Sequence, residues 1–268
     1  MLSVLLSVYK KESPAFLNQA LLSIYDEQQL KPSQIVLVKD GPLSSELDEV
    51  ISAWQERLGD TFTVAALPQN VGLGAALNEG LKHCEHELVA RMDTDDVALA
   101  ARFAKQVEFM NSNPDVVASS ATLEEWDEAL QYKQGVRQLP TDSSLVLKFA
   151  KRRSPLSHPL AIFRKSVLQE VGGYPPLRKA QDYALWSLLL SKGYMLANLP
   201  DVLLKMRTGN EMLGRRGWGY FKQEYQLLKY QKEIGFLSGF DFAVNVLLKG
   251  GLRLAPDFVK RWAYKLAR

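Results

Sequence analysis

Cysteine is nearly missing: Cys84 stands alone in 268 residues. That excludes an internal disulfide and a cysteine-based zinc cluster, and it fits a reducing compartment. Histidine is almost as scarce, at three. His83 and His86 flank Cys84 with no further soft ligand nearby, so they read as exposed polar residues rather than a metal site. No charge-free run of about 20 apolar residues occurs, so no membrane-spanning helix is expected. The apolar opening, residues 1–9, lacks a basic leader and runs into Lys10-Lys11-Glu12; it reads as a buried strand, not a signal peptide, and places the chain in the cytoplasm. A formal charge of +3 is too small to imply a nucleic-acid partner. Repeats and low-complexity tracts are lacking too, and 47% hydrophobic with 24% charged residues is the balance of a chain that folds almost throughout. The length allows one large domain with a smaller appendage.

What is there alternates. Residues 2–8 form an apolar run, then Ser13-Pro14 supplies an N-cap and a proline for the first helical position. Phe16, Leu17, Ala20, Leu21 and Ile24 follow at helical spacing until Lys31-Pro32 breaks the pattern. A strand over 35–38, a helix over 46–57, a strand over 61–66, a helix over 75–83 and a strand over 87–92 continue the series. Short strands separated by helices predict an α/β fold with a mainly parallel sheet, whose ligands lie beyond the strands' carboxyl ends. The order then loosens: a helix over 99–111, extended segments over 116–123 and 131–138, a helix over 143–151 and a strand over 202–206. The predicted division is a domain over 1–210, in halves of about 1–97 and 98–210, followed by a helical extension over 211–268.

The residues just after the strands carry the chemistry. Arg91-Met92-Asp93-Thr94-Asp95-Asp96 puts three carboxylates at a strand end, where their repulsion favours a hard divalent cation such as Mn2+ or Mg2+ with oxygen ligands. A solvated acidic turn capping the next helix is the alternative. Asp40-Gly41-Pro42 suits either a tight turn or a carboxylate that accepts from the imide of uracil or thymine. Gln69-Asn70-Val71-Gly72-Leu73-Gly74 precedes a helix, and its glycines permit close backbone approach to an anionic ligand. This loop follows the third strand, not the first, so the dinucleotide fingerprint is lacking.

The series Val8-Tyr9, Val38-Lys39-Asp40-Gly41, Asn70-Val71-Gly72 and Asp93-Thr94-Asp95-Asp96 resembles the family 2 glycosyltransferases. Ser157-His158-Pro159, Gly172-Gly173-Tyr174 and Ala180-Gln181-Asp182-Tyr183-Ala184-Leu185-Trp186 extend the resemblance over roughly the first 210 residues. Residues 206–217 resemble the branch that assembles bacterial exopolysaccharide and capsule repeats. The resemblance implies a GT-A fold, a Rossmann-like sheet flanked by helices, a UDP- or dTDP-sugar donor and inversion without a covalent intermediate. It implies that Tyr9 and Glu12 line the nucleoside pocket, Asp40 reads the base, and Asn70, Gly72, Arg91 and Thr94 support the nucleotide. Asp93 would then lie near ribose and sugar, Asp95 would hold the metal with Asp96 as helper, and Asp182 would be the catalytic base. The family commonly has Glu where this chain has Gln181.

Around these stand candidates for contact with acceptor or diphosphate: His158, Gln181, Trp186, Arg207, Arg215 and Arg216, the arginines by charge-assisted hydrogen bonds. A packed histidine and a solvated basic loop are the plainer alternatives. From Phe236 onward, aromatic and aliphatic residues mix with Lys249, Arg253, Lys260, Arg261, Lys265 and Arg268. That suits a peripheral contact at the inner face of the plasma membrane or a helical pair packed on protein. The expected acceptor is a saccharide on a polyprenyl diphosphate; a homodimer is left open. A nucleotidyltransferase and a non-catalytic nucleotide-sugar-binding scaffold are the competing readings.

Overall fold

The computed structural model describes residues 1–208 and 217–254, with the side chains of 217, 218 and 252–254 left aside. The chain divides into two compact units, Met1–Thr208 and Gly209–Arg268.

The first unit is built on β1 (Leu2–Val8), whose alternate residues enter two cores. Leu2, Val4, Leu6 and Val8 face α1 (Pro14–Tyr25), α2 (Ser45–Leu58) and α4 (Arg102–Ser112) through Leu17, Leu21, Ile51, Trp54 and Phe103. Leu5 faces the other way, with Val36 and Val38 of β2 (Gln34–Lys39), toward α3 (Leu73–His83) and α7 (Gln181–Ser191) through Leu77, Leu81, Leu185 and Trp186. Helices on both faces explain why these strands are continuously apolar rather than alternating. α3 approaches so closely that a Cβ on Gly80 would lie 2.4 Å from Leu5 Cδ1 and 2.6 Å from Val38 Cγ2. The first helix starts as predicted, with Ser13 Oγ accepting from Phe16 N and Pro14 behind it, and α2 is capped in the same way by Ser44 Oγ, which accepts from Leu47 N.

β3 (Phe62–Ala66), β2, β1 and β4 (Leu88–Arg91) run parallel in that spatial order. The order reverses between β1 and β4, which opens a crevice at their carboxyl ends. Beyond β4 the sheet becomes mixed, with β8 (Ile162–Arg164) antiparallel to both β4 and β6 (Val116–Trp126). β6 pairs in parallel with β9 (Met195–Arg207), against which the short β5 (Val97–Ala98) lies antiparallel; β7 (Lys133–Arg137) borders β6. The parallel expectation therefore describes the first half of the sheet, and the second half needs antiparallel partners. α5 (Ser143–Ala150) and α6 (Lys165–Glu170) complete the unit.

β9 is much longer than the strand predicted over 202–206. Its earlier part carries Pro200-Asp201, and the ladder absorbs them by slipping register: Ala121 pairs Leu199 while Thr122 pairs Val202. A proline is tolerated in a strand at such a bulge.

The second unit contains α8 (Gly217–Glu233) and α9 (Gly239–Leu254). Tyr225 packs edge-on to Phe242 at 6.0 Å between ring centroids, and Lys232 lies over the same ring at 5.0 Å. Phe240, Leu247 and Leu248 of α9 are exposed. No helix among the described residues is long and apolar enough to cross a membrane.

Candidate active site

The loops after β1, β2, β3 and β4 border one cavity of about 800 Å³, lined by Tyr9, Glu12, Asp40, Asn70, Gly72, Asp93 and Thr94 among others. Tyr9, 38% exposed, offers its ring at the wall.

The β2 and β3 loops are locked to each other by Asp40. Its Oδ1 accepts from Val71 N at 2.7 Å, and its Oδ2 accepts from Asn70 Nδ2 at 2.9 Å and Gly72 N at 3.1 Å. Gly41, at φ +87°, lets the two backbones touch, since a Cβ there would lie 2.6 Å from Asn70 N. Asp40 was expected to read a base; its carboxylate holds the loop that walls the pocket and keeps capacity for one further donor at Oδ1.

The β4 loop gathers the negative charge. Asp93, Asp95 and Asp96 each present a carboxylate oxygen within 4.8 Å of the others. Arg91, 2% exposed, pairs with Asp93, while its Nε and Nη1 have no hydrogen-bond partner. Asp96 is 1% exposed; Oδ1 accepts from Arg207 N at 2.9 Å and Oδ2 is buried without a partner. Burial first, then Asp93, pushes the Asp95 carboxyl up; burial, Asp93 and Asp95 push Asp96 well above the carboxylate range. Glu12 is raised to about 7 by burial and then by Asp95 and Asp93, although the Thr94 hydroxyl opposes the shift. A buried carboxylate oxygen without a donor, inside a set of like charges, is the donor set that a hard divalent cation satisfies. The residues present fit such an ion.

Asp182 belongs to another element, half-buried in the first turn of α7. Burial raises its pKa, while the N–H of Tyr183 and the charge of Arg91 lower it. Arg91 thus carries its charge toward both the acidic cluster and Asp182. Gln181 is buried, with Cγ only 3.1 Å from where a Cβ on Gly74 would be, so its stem packs at the α3–α7 contact.

Several predicted contacts take other places. His158 is buried, its Nε2 3.0 Å from the Tyr174 hydroxyl; burial and then Arg91 hold its pKa well below the usual value, so the ring is neutral. Trp186 is 0% exposed, packed in the core edge-on to His158. Neither ring is open to an acceptor. Arg207 is also committed: Nε donates to Glu128 O at 2.9 Å, Nη2 to Gln19 Oε1 at 2.5 Å and Nη1 to Asp95 O, with the guanidinium 4.1 Å from the Phe16 ring. It braces the acidic loop rather than reaching for a diphosphate. Arg215 and Arg216 lie outside the described residues.

Two residues escaped the sequence reading. Arg102, fully buried on α4, donates through Nη2 to Arg91 O at 2.5 Å and Pro159 O at 3.0 Å, fixing the strand end that presents the cluster. Arg178 borders the cavity from the segment before α7. An amphipathic helix and a surface loop signal nothing about either.

The Glycosyl transferase family 2 profile matches residues 3–172. The chain belongs to that family. This glycosyltransferase is 41% identical over 272 residues to the amylovoran biosynthesis glycosyltransferase AmsE of Erwinia amylovora, covering all of this chain and 99% of AmsE. It is 37% identical over 265 residues to the Escherichia coli UDP-Gal:α-D-GlcNAc-diphosphoundecaprenol β-1,3-galactosyltransferase, covering 98% of this chain and 94% of that one. Among solved structures, S. aureus TarS 1–349 in complex with UDP-GlcNAc superposes with a TM-score of 0.68 at 18% identity, over 95% of this chain and 76% of that one. The mannosyltransferase PcManGT from Pyrobaculum calidifontis, in complex with GDP-Man and Mn2+, gives 0.64 at 20% identity, over 95% and 70%. The chain spans 41% of the longer TarS chain. At those identities the structural likeness concerns the fold, and the GT-A expectation holds.

Proposed function

We propose that this glycosyltransferase moves a sugar from a UDP- or dTDP-sugar, with inversion, to a saccharide carried on a polyprenyl diphosphate, in the synthesis of a bacterial capsule or exopolysaccharide. The observation that carries the reading is a division of carboxylates between two elements: Asp93, Asp95 and Asp96 clustered in the β4 loop, of which Asp93 lines the cavity, and Asp182 in the first turn of α7.

Asp95 and Asp96, with Asp93 beside them, would hold a Mn2+ or Mg2+ ion, which when bound supplies Lewis-acid stabilisation of the departing diphosphate. The rest falls to the chain. Tyr9 and the Asp40-anchored loop hold the nucleoside. Asp182 takes the proton of the acceptor hydroxyl as its oxygen bonds to the anomeric carbon and the bond from that carbon to the diphosphate breaks. Burial makes Asp182 a stronger base than an exposed aspartate, and the α7 N-terminus with Arg91 keeps the ionised form accessible. Gln181, neutral where the family commonly has Glu, removes one like charge from the base's neighbourhood.

The E. coli relative, named for a diphosphoundecaprenol acceptor, supports the lipid-linked acceptor, and AmsE supports polysaccharide synthesis. The exposed Phe240, Leu247 and Leu248, next to a basic C-terminal sequence, suit a peripheral membrane contact near such an acceptor.

The test is a thermal-shift series with UDP-, dTDP- and GDP-sugars, with and without Mn2+, followed by a transfer assay. A UDP- or dTDP-sugar should give a metal-dependent shift that Asp95→Ala largely abolishes. Asp182→Asn should keep that shift and lose transfer by about a hundredfold or more. Normal turnover by Asp95→Ala would remove the metal seat, and normal transfer by Asp182→Asn would remove the base.

A further inference from the structure

The leaving diphosphate needs positive charge from the protein as well as from a metal, and of the arginines first expected to provide it Arg207 is engaged elsewhere, while Arg215 and Arg216 lie outside the described residues. The donors of Arg207 go to Glu128, Gln19 and Asp95. Among the described residues, three cationic side chains border the cavity: Lys10, Lys11 and Arg178. Both lysines lie in the β1 loop, beside Glu12 at the nucleoside wall. Arg178 comes from a different element, the stretch that leads into α7 and Asp182.

That stretch is fixed at both ends. At its start, Asn78 of α3 accepts from Tyr174 N at 2.7 Å and donates to Tyr174 O at 3.0 Å. Gly173, at φ +75°, is required there, because a Cβ would lie 2.3 Å from Asn78 Oδ1. At its end, Ala180 takes a left-handed conformation, φ 56°, which turns the chain into α7. Between these anchors Arg178 is exposed, engaged by no carboxylate among the described residues, and borders the same cavity as Asp93 and Thr94. A guanidinium is a planar fork that binds two phosphate oxygens at once, whereas lysine binds as a point charge.

We propose that Arg178 is a donor-diphosphate ligand that grips the leaving group from the side of the catalytic base. This rests on the nucleotide-sugar reading above. The base-presenting segment thereby also holds the donor: three residues lie between Arg178 and Asp182, so a diphosphate bound by the first sits in fixed relation to the second. As the anomeric bond breaks, the developing negative charge on the diphosphate strengthens this contact, which makes Arg178 worth more in the transition state than in the ground state.

The test compares wild type, Arg178→Gln and Arg178→Lys in the full chain by calorimetry with UDP, dTDP, uridine and thymidine, all with Mn2+, and by steady-state transfer. A charge-assisted contact predicts about a ten- to hundredfold loss of nucleoside diphosphate affinity in Arg178→Gln, partial recovery in Arg178→Lys, and unchanged nucleoside affinity. The loss in kcat/KM for the donor should be at least as large, with acceptor KM unaltered. Equal diphosphate affinity in wild type and Arg178→Gln would overturn the assignment, as would equal losses on nucleoside and diphosphate, which indicate a structural role. A rise in acceptor KM alone would move the arginine to the acceptor's diphosphate and overturn it too. Should wild type bind no nucleoside diphosphate, the nucleotide-sugar reading itself fails; binding that is indifferent to Arg178 leaves that reading intact and removes only this one.

Discussion

Asp96→Asn should make the metal-free protein more stable, the opposite of what a structural carboxylate would do. Asp96 Oδ1 accepts the Arg207 N–H, a role the asparagine oxygen keeps. Oδ2 is buried with no donor, so the substitution removes a charge there without breaking a hydrogen bond. The neighbouring carboxylate oxygens lie within 4.8 Å, where two like charges cost about 3 kcal/mol at an effective dielectric of about 20. Arg91 pairs with Asp93 and offsets part of this, so the net gain is about 1–3 kcal/mol, or roughly 2–10 °C in Tm for a domain of this size. The sign with pH follows from the raised pKa of Asp96 and of Glu12, the latter about 7. Groups whose folded pKa lies above the unfolded one contribute stability fully at acid pH and lose it as pH rises through the folded value. Wild type without metal should therefore weaken as pH rises through the Glu12 value of about 7, and its deficit against Asp96→Asn should widen as pH rises and Asp96 ionises. Saturating Mn2+ then reverses the order, because a ligand at about a hundred times its Kd adds roughly 2.7 kcal/mol to the state that binds it. Thermal denaturation of both proteins across that range, in EDTA and in Mn2+, measures all of this. A metal-free Asp96→Asn less stable than wild type at about pH 8 would show that the carboxylates do not oppose one another, and the physical case for a cation seat would fall.

Two further substitutions probe the pocket wall and the core. Asp40→Ala removes the acceptor that ties Asn70, Val71 and Gly72 to the β2 loop; it should lower stability by about 1–3 kcal/mol and weaken UDP and dTDP binding alike, read by urea unfolding and calorimetry. A loss confined to one base would restore Asp40 as a base reader. Trp186→Phe deletes part of a fully buried ring whose Nε1 has no partner; it should cost about 1–2 kcal/mol of stability from lost packing while leaving acceptor KM unchanged in the transfer assay.

How much of this was legible in the sequence depends on the range of the interactions involved. The β1-to-β4 half was readable because its signals are local: apolar runs of strand length, Ser13-Pro14 at a helix start, and polar residues at the four strand ends that the parallel topology then brings together. The acidic loop was readable for the same reason. β9 was cut short because Pro200 looks like a stop until β6 slips register to accommodate it. Arg207 was misjudged because its partners, Gln19, Asp95 and Glu128, lie 79 to 188 residues away along the chain. His158 and Trp186 sit in recognisable motifs, yet the motif records only that they matter, not whether they face a ligand or the core.

The buried arginines show why those distant partners matter to function. A cluster of carboxylates would ordinarily drift apart or bind protons, and here the backbone cannot yield. Arg102 holds the carbonyl of Arg91, and Arg207 holds the carbonyl of Asp95 and, through its backbone N–H, the carboxylate of Asp96. Burial and the charge of Arg91 lower the pKa of Arg102 to about 9, so it remains protonated at neutral pH and its brace stays in place. Among the described residues Arg91 pairs with Asp93 and the charge of Arg207 reaches Asp95 and Asp96, and two guanidinium groups do not balance Asp93, Asp95, Asp96 and Glu12 together. The remaining negative potential is therefore built into the fold, held in position by cations whose hydrogen bonds are already made. A site preorganised in this way gains most from a ligand that brings its own positive charge, and a divalent ion arriving with a nucleotide diphosphate is such a ligand.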